Sequence, residues 1–219
     1  MPAPERWHFS ASTSAEIEPM RTLPARRVLF GLACSLAAGI LSGIAQAAEQ
    51  FRIDPNHTFV QFAVVHTGVS SVRGRFNVPK GTASLDTAKQ EATVNVEIDA
   101  RSLDTGVKQL DGILIGETFF DVGKFRTATF SGRGVRFADG VPTEFEGNLT
   151  VKGVTRPVQL KAEHFVCQQV TVLVVKHYVC GGDLTATLKR SDFGLSKYLS
   201  MVSDDVRLTI SVEAIREGQ

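Results

Sequence analysis

The stretch DPNHTFVQFAVVHTGVSSVRGRF, Asp54–Phe76, decides how the rest of the chain is read. Val60, Phe62, Val64 and His66 share one face of it, while Phe59, Gln61, Ala63 and Val65 share the other. Alternation with a period of two is the mark of a strand whose successive side chains point to opposite faces of a sheet. One face stays apolar until it ends in a histidine. An unpaired imidazole in a dry interior is costly, so His66 is expected at a rim, against a partner, or against the polar end of a ligand.

The same period recurs downstream. Val94, Val96 and Ile98 alternate with polar neighbours, as do Phe145, Gly147, Leu149 and Val151. Val158, Leu160, Ala162 and His164 form a third set, Leu184, Ala186, Leu188 and Arg190 a fourth, and Val206 to Ala214 a fifth. Two further strands are expected over Val72 to Val78 and Thr127 to Phe137, with turns at Pro79-Lys80-Gly81, Asp139-Gly140 and Lys152-Gly153. One dry and one wet face per strand points to antiparallel sheets. The segment from Val107 to Val122 breaks the pattern: Leu110, Ile113 and Leu114 fall at helical spacing ahead of Phe119-Phe120. The expected fold is therefore all-β, an antiparallel β-barrel of about eight strands with one short helical excursion. A two-sheet sandwich fits the same pattern.

The first part of the chain reads differently. Arg26 and Arg27 precede an uncharged apolar run from Val28 to Ile44, which ends in Ala45-Gln46-Ala47. A basic start, an apolar middle and a small-x-small ending describe a secretory signal peptide, so residues 1–47 are expected to be removed by cleavage between Ala47 and Ala48. The true start is expected at Met20, which leaves a leader of ordinary length. An uncleaved membrane anchor is the competing reading. Residues 48–219 then form one domain, exported to the periplasm or secreted. The whole chain has 24 basic and 23 acidic residues, and losing four and three of them with the leader leaves 20 of each. That balance argues against nucleic acid as a partner.

Cys167 and Cys180 remain after cleavage. In an oxidising compartment an even pair is most simply a disulfide, closing a loop of about 14 residues worth on the order of 3 kcal/mol. A metal site using His164 and His177 with the two cysteines is the competitor, and requires their strands to align. Asp192-Phe193-Gly194 lacks the glycine-rich loop and strand lysine that would make it a kinase element, and no phosphate-cradling or His-Glu-x-x-His motif is present.

A barrel of about eight strands either packs its interior or holds one small ligand. Inward residues here are small or middling, at Val60, Val64, Val94, Val96, Gly147, Ala162 and Ala186, while Phe119, Phe120, Phe125 and Phe193 fall outside the regular strands. A cavity with an aromatic lid and a filled core fit this distribution equally. His66 and Arg190 each end an apolar face, His164 is a third such residue, and Asp192 is close enough to serve as the partner of Arg190. His57, after Pro55, is expected to bond locally within a turn.

IDPNHTFVQFAVVHTGVSSVRGRF, ARSLDTG, FFDVGKF, GNLTVKGVTRPV and RSDFG occur in the order found in the YceI-like family. The chain resembles that family, periplasmic lipocalin-like proteins that bind polyisoprenoids, over essentially all of Phe51 to Ile215. The resemblance implies an extended barrel around a long apolar tunnel, a prenyl chain or similar lipid as ligand, no enzymatic activity and no separate cofactor or metal. His57, His66, Arg190, Ser191, Asp192, Phe193 and Gly194 fall at motif positions. A subset of the family carries two cysteines placed like Cys167 and Cys180, and a homodimer is expected by the same resemblance. Two departures stand out: Ile113 and Ile115 occupy a segment that often carries a histidine and an arginine, and Arg126 replaces a usual proline.

The resulting expectation is a carrier for a prenyl quinone, a prenyl phosphate or another long-chain lipid, exchanging its cargo by transient membrane contact. Its ligand-binding residues are expected to be Phe62, Val64, His66, Phe76, Val96, Phe119, Phe120, Arg190, Asp192 and Phe193. The rival expectations are a packed barrel acting through its outer surface as a stress-linked interaction module, and an enzyme using His66, His57 and Asp192 as acid–base groups.

Overall fold

The computed structural model describes residues 47–218. Apart from Ala47, the leader expected at 1–47 lies outside them. Nine strands follow: β1 (Glu49–Ile53), β2 (Phe59–His66), β3 (Ser70–Asp86), β4 (Glu91–Asp104), β5 (Thr127–Ala138), β6 (Val141–Val151), β7 (Val154–Val172), β8 (Val175–Lys189) and β9 (Val202–Arg216). One helix, α1 (Lys108–Ile115), lies between β4 and β5, and a 3₁₀ turn (Arg190–Phe193) follows β8. Every neighbouring pair is antiparallel, and the ring β2-β9-β8-β7-β6-β5-β4-β3 closes because β3 also pairs with β2. The barrel reading stands and the sandwich falls.

The ring has eight staves although it has nine strands, because β1 and β2 share one. Both pair with β3 on one side and with β9 on the other. The break between them is the Asp54–Thr58 segment, stitched to β9 at Glu213. That residue's carbonyl accepts the Asp54 N–H, and its own N–H donates to Thr58 Oγ1. Among the described residues the first strand therefore starts at Glu49, before the strand that first revealed the fold. β1 is too short and too close to Pro55 to declare itself by period, yet its Phe51 and Ile53 are both only 2% exposed.

Three other expectations change. Pro79-Lys80-Gly81 is not a turn: β3 runs through it, with the register slipping between Asn77 and Lys80. A proline has no N–H for the ladder, and an irregularity in the pairing is where a strand tolerates one. β7 continues past His164, and a bulge leaves Glu163 without a partner between Ala162↔Leu184 and His164↔Asp183. One extra residue reverses the faces, so His164 is exposed and Phe165 points inward. Gly147 does not leave hollow space either. It faces Gly132 across β5–β6, and a Cβ on either would come within 2.7 Å of the Phe130 ring, which lies over both.

The other turns follow the sequence. Asp139-Gly140 and Lys152-Gly153 all have positive φ, between 50° and 80°, as two-residue hairpin turns require. Cys167 and Cys180 are register partners on β7 and β8 and are joined as a disulfide, which removes the four-ligand metal reading.

Candidate functional site: an apolar cavity open at one end

Period-two alternation sends half of each strand's side chains inward, and they do not fill the space. A cavity of about 700 Å³ runs through the barrel, within the roughly 300–1,000 Å³ range of small-molecule sites. Val60, Val78, Ile98, Leu149, Leu160, Leu184 and Leu208 supply aliphatic wall. Aromatic wall comes from Phe51, Phe62, Phe76, Phe130, Phe145 and Phe165 inside regular strands, and from the expected Phe119, Phe120, Phe125 and Phe193 outside them. Phe76 joins Phe62 at 5.6 Å and Phe120 edge-on at 5.3 Å, tying β2 and β3 to the segment after α1.

The two ends differ. At one, Leu85, Ala92, Pro142, Phe145 and Ala214 line the cavity and are buried. At the other, where α1 and the loop after the 3₁₀ turn sit, the lining residues Ile113, Tyr198 and Met201 are at least half exposed. This second end is the mouth. Phe119 and Tyr198 stack across it at 6.2 Å, and Ile113, one of the departures from the family pattern, adds to its apolar rim. Helix α1 is held by Asp111, whose Oδ1 accepts from the Thr105 N–H at 2.8 Å and from Thr105 Oγ1 at 2.7 Å. Those bonds hold its carboxyl below the usual carboxylate range.

Of the residues expected to bind ligand, Phe62, Val64, His66, Phe76, Val96, Phe119, Phe120, Arg190 and Phe193 line the cavity. Asp192 does not; it is exposed. In a 3₁₀ turn residues i and i+3 eclipse, so Arg190 and Phe193 share the inner side and Asp192 turns out.

Arg190 is also spoken for. Its Nε donates to the Ser203 carbonyl at 2.9 Å and its Nη2 to the Val202 carbonyl at 2.9 Å. Its Nη1 donates to the carbonyls of Leu195 and of Lys197. The residue is 6% exposed, and burial pulls its pKa down against the opposing charge of Asp204. The carboxylate beside it is Asp204 rather than Asp192, and Asp204 accepts from the Ser191 N–H and hydroxyl at 2.9 and 2.7 Å. Arg190 thus fastens the loop over the mouth and is not free to meet a head group.

His57 lies elsewhere. Its Nδ1 is 2.7 Å from Asp54 Oδ2 and 3.8 Å from Glu213 Oε2, on the exposed side of the β1–β2 break. The Asp54 hydrogen bond, then the Glu213 charge, raises the imidazole pKa. Burial would raise Asp54, but hydrogen bonds from His57 and the Asn56 N–H, with the charges of His57 and Arg52, bring it below its ordinary value. His66 is at the far end of β2, some 30 Å along the strand at ~3.3 Å per residue. The proposed acid–base set of His66, His57 and Asp192 is therefore not assembled. Two charged residues at the mouth, Lys152 and Lys197, were not among those expected from the sequence. Lys152 belongs to a turn and Lys197 to an aperiodic loop, so no alternation could assign either to the interior.

A closed eight-staved barrel with a dry cavity open at one end defines a ligand-enclosing β-barrel. A family model described as a YceI-like domain matches residues 51–214, and the chain belongs to the YceI-like family. It is 36% identical over 200 residues to a UPF0312 protein of Pseudomonas paraeruginosa, covering 88% of this chain and 99% of that one. A UPF0312 protein of Shewanella putrefaciens is 35% identical over 189 residues, covering 85% and 97%. Among solved structures, a YceI protein of Campylobacter jejuni superposes with a TM-score of 0.55 at 26% identity, covering 71% of this chain and 90% of its own. A polyisoprenoid binding domain from Saccharophagus degradans, implicated in plant cell wall breakdown, shares the fold with a TM-score of 0.53 at 16% identity, covering 78% and 99%.

Proposed function

We propose that this protein is a non-catalytic carrier that sequesters a long-chain isoprenoid or similar amphipathic lipid, after export to the periplasm or secretion. The observation that carries the reading is the cavity: about 700 Å³, walled by apolar side chains, closed at one end and open at the other. A dry apolar cavity of roughly 150 Å³ already takes up benzene. Each methylene moved out of water is worth about 0.8 kcal/mol, so a long chain gains nearly as much here as in a bilayer. The name of the Saccharophagus degradans neighbour accords with the same ligand class.

Exchange then needs contact with a membrane, and the mouth is built for it. Val69, Ile113, Tyr198, Leu199 and Met201 are exposed at this end, the composition of a surface that meets an apolar phase. The leader supports export, and the first strand among the described residues begins at Glu49, just after the expected cleavage point.

Organic extraction of the purified mature protein followed by mass spectrometry tests the carrier. A co-purifying long-chain lipid is expected. Repeated recovery of empty protein that takes up neither prenyl quinones nor prenyl phosphates would sink it. Intact mass of the exported protein should place its N-terminus at Ala48.

A further inference from the structure

The polar residues of the cavity are sorted by charge. Among the described residues that line it there is no aspartate and no glutamate. The charged or titratable lining groups are His66, Lys152, Arg190, Lys197 and the phenol of Tyr198, all at the mouth. Because residues 48–219 carry equal numbers of acidic and basic residues, this one-signed set is not the edge of a generally basic surface.

Two of these groups are fixed in place, Lys152 through its side chain and Lys197 through its backbone. Lys152 is half-buried, and its Nζ donates to the Glu117 carbonyl at 2.9 Å, which orients the ammonium and leaves two of its N–H groups unspent. Lys197 lies on the loop that Arg190 fastens, and its own carbonyl accepts from Arg190 Nη1 at 2.7 Å. Arg190 thus serves as a positioning residue for Lys197. Cations beside an apolar, poorly hydrated opening favour an anion, because charge-assisted bonds strengthen as water is excluded.

We infer that the lipid held in the cavity carries an anionic head group, a phosphate or a carboxylate, bound at the mouth by Lys152 and Lys197. This rests on the carrier reading and narrows it, setting acidic lipids above prenyl alcohols, amides and quinones of equal chain length.

The test uses two matched pairs of probes: undecaprenyl phosphate against undecaprenol, and palmitate against palmitamide. Each is titrated into delipidated mature protein and followed by native mass spectrometry. The charged member of any pair that binds should be preferred on the order of tenfold, as charge-assisted contacts predict. In Lys152→Met/Lys197→Met the preference should vanish, with affinity for the acid falling to that for its neutral partner. Lys197→Met alone should lose part of it, and serves if the change at Lys152 disturbs its turn. Equal binding within both pairs, or a preference that survives in the double variant, overturns the inference and leaves the carrier standing. A preference found only on vesicles containing anionic lipid, and absent for soluble complexes, assigns the lysines to membrane docking and overturns it too. Failure of all four probes to bind overturns the inference, and the carrier reading falls with it only when prenyl quinones are not taken up either.

Discussion

Arg190 joins the ends of two strands to one loop. Its guanidinium meets four backbone carbonyls between Leu195 and Ser203, acceptors that would otherwise be left facing an apolar mouth. Arg190→Ala should lower stability by about 3 kcal/mol, the scale for removing one side of a buried, hydrogen-bonded charge, as measured by urea unfolding. Arg190→Lys should recover only part, since a single ammonium cannot reproduce the planar fork. At His57 the expected effect follows pH. Its pKa is raised in the folded chain, so its contribution is complete below the unfolded value of ~6.5 and fades as pH rises through the folded value. Asp54 has the opposite sense: its pKa is lowered, so its contribution is present above the ordinary carboxylate value and is lost as pH falls through the folded one. His57→Gln should therefore flatten the pH dependence of the melting temperature above about pH 6.5. An unchanged profile would show the pair to be idle.

Among the elements, the β7–β8 hairpin is the one most at odds with its own sequence. Its turn is Leu173-Val174, with positive φ at Leu173 alone of the two, 56°, and that residue more than nine-tenths exposed, where glycine at the first position is the favoured chemistry. Leu173→Gly should raise stability by about 1 kcal/mol, read as a shift in melting temperature. Lower down the hairpin, Cys167→Ala/Cys180→Ala should cost up to ~3 kcal/mol, less where strand pairing already closes the loop. Strands announced themselves wherever alternation ran unbroken, as in β2, β4 and β9. They hid where the ladder broke step. The bulge after Ala162 reversed the facing of His164, and a bulge leaves no trace in a hydrophobic pattern. The phenylalanine over Gly132 and Gly147 was invisible for a related reason, since a ring reaches sideways across strands while a period is read along one.

For the whole molecule, the property that matters is unfilled volume. It could not be read from the sequence because it is a difference between the wall's radius and the sum of the side chains inside. Most of the expected wall was legible all the same, since facing alone assigns a strand residue to the interior. The polar mouth was not, because loops have no period. If the cavity is the binding site, Val64→Trp should reduce lipid uptake more than tenfold while leaving the melting temperature within a few degrees. The added ring enters free space rather than a packed core. Paired titrations and melts on the same preparation would decide it, and full uptake by that variant would place the lipid elsewhere.

The shared stave has a temporal consequence. Both of its segments, at the beginning of the fold, need β9, the last strand, as a neighbour. No partial chain can shut the ring, however much of it has emerged. Contacts of such long sequence separation form late and slowly. A nascent molecule must therefore keep its ring open until its fifteen-residue β9 is free, a delay that would suit the proposed export.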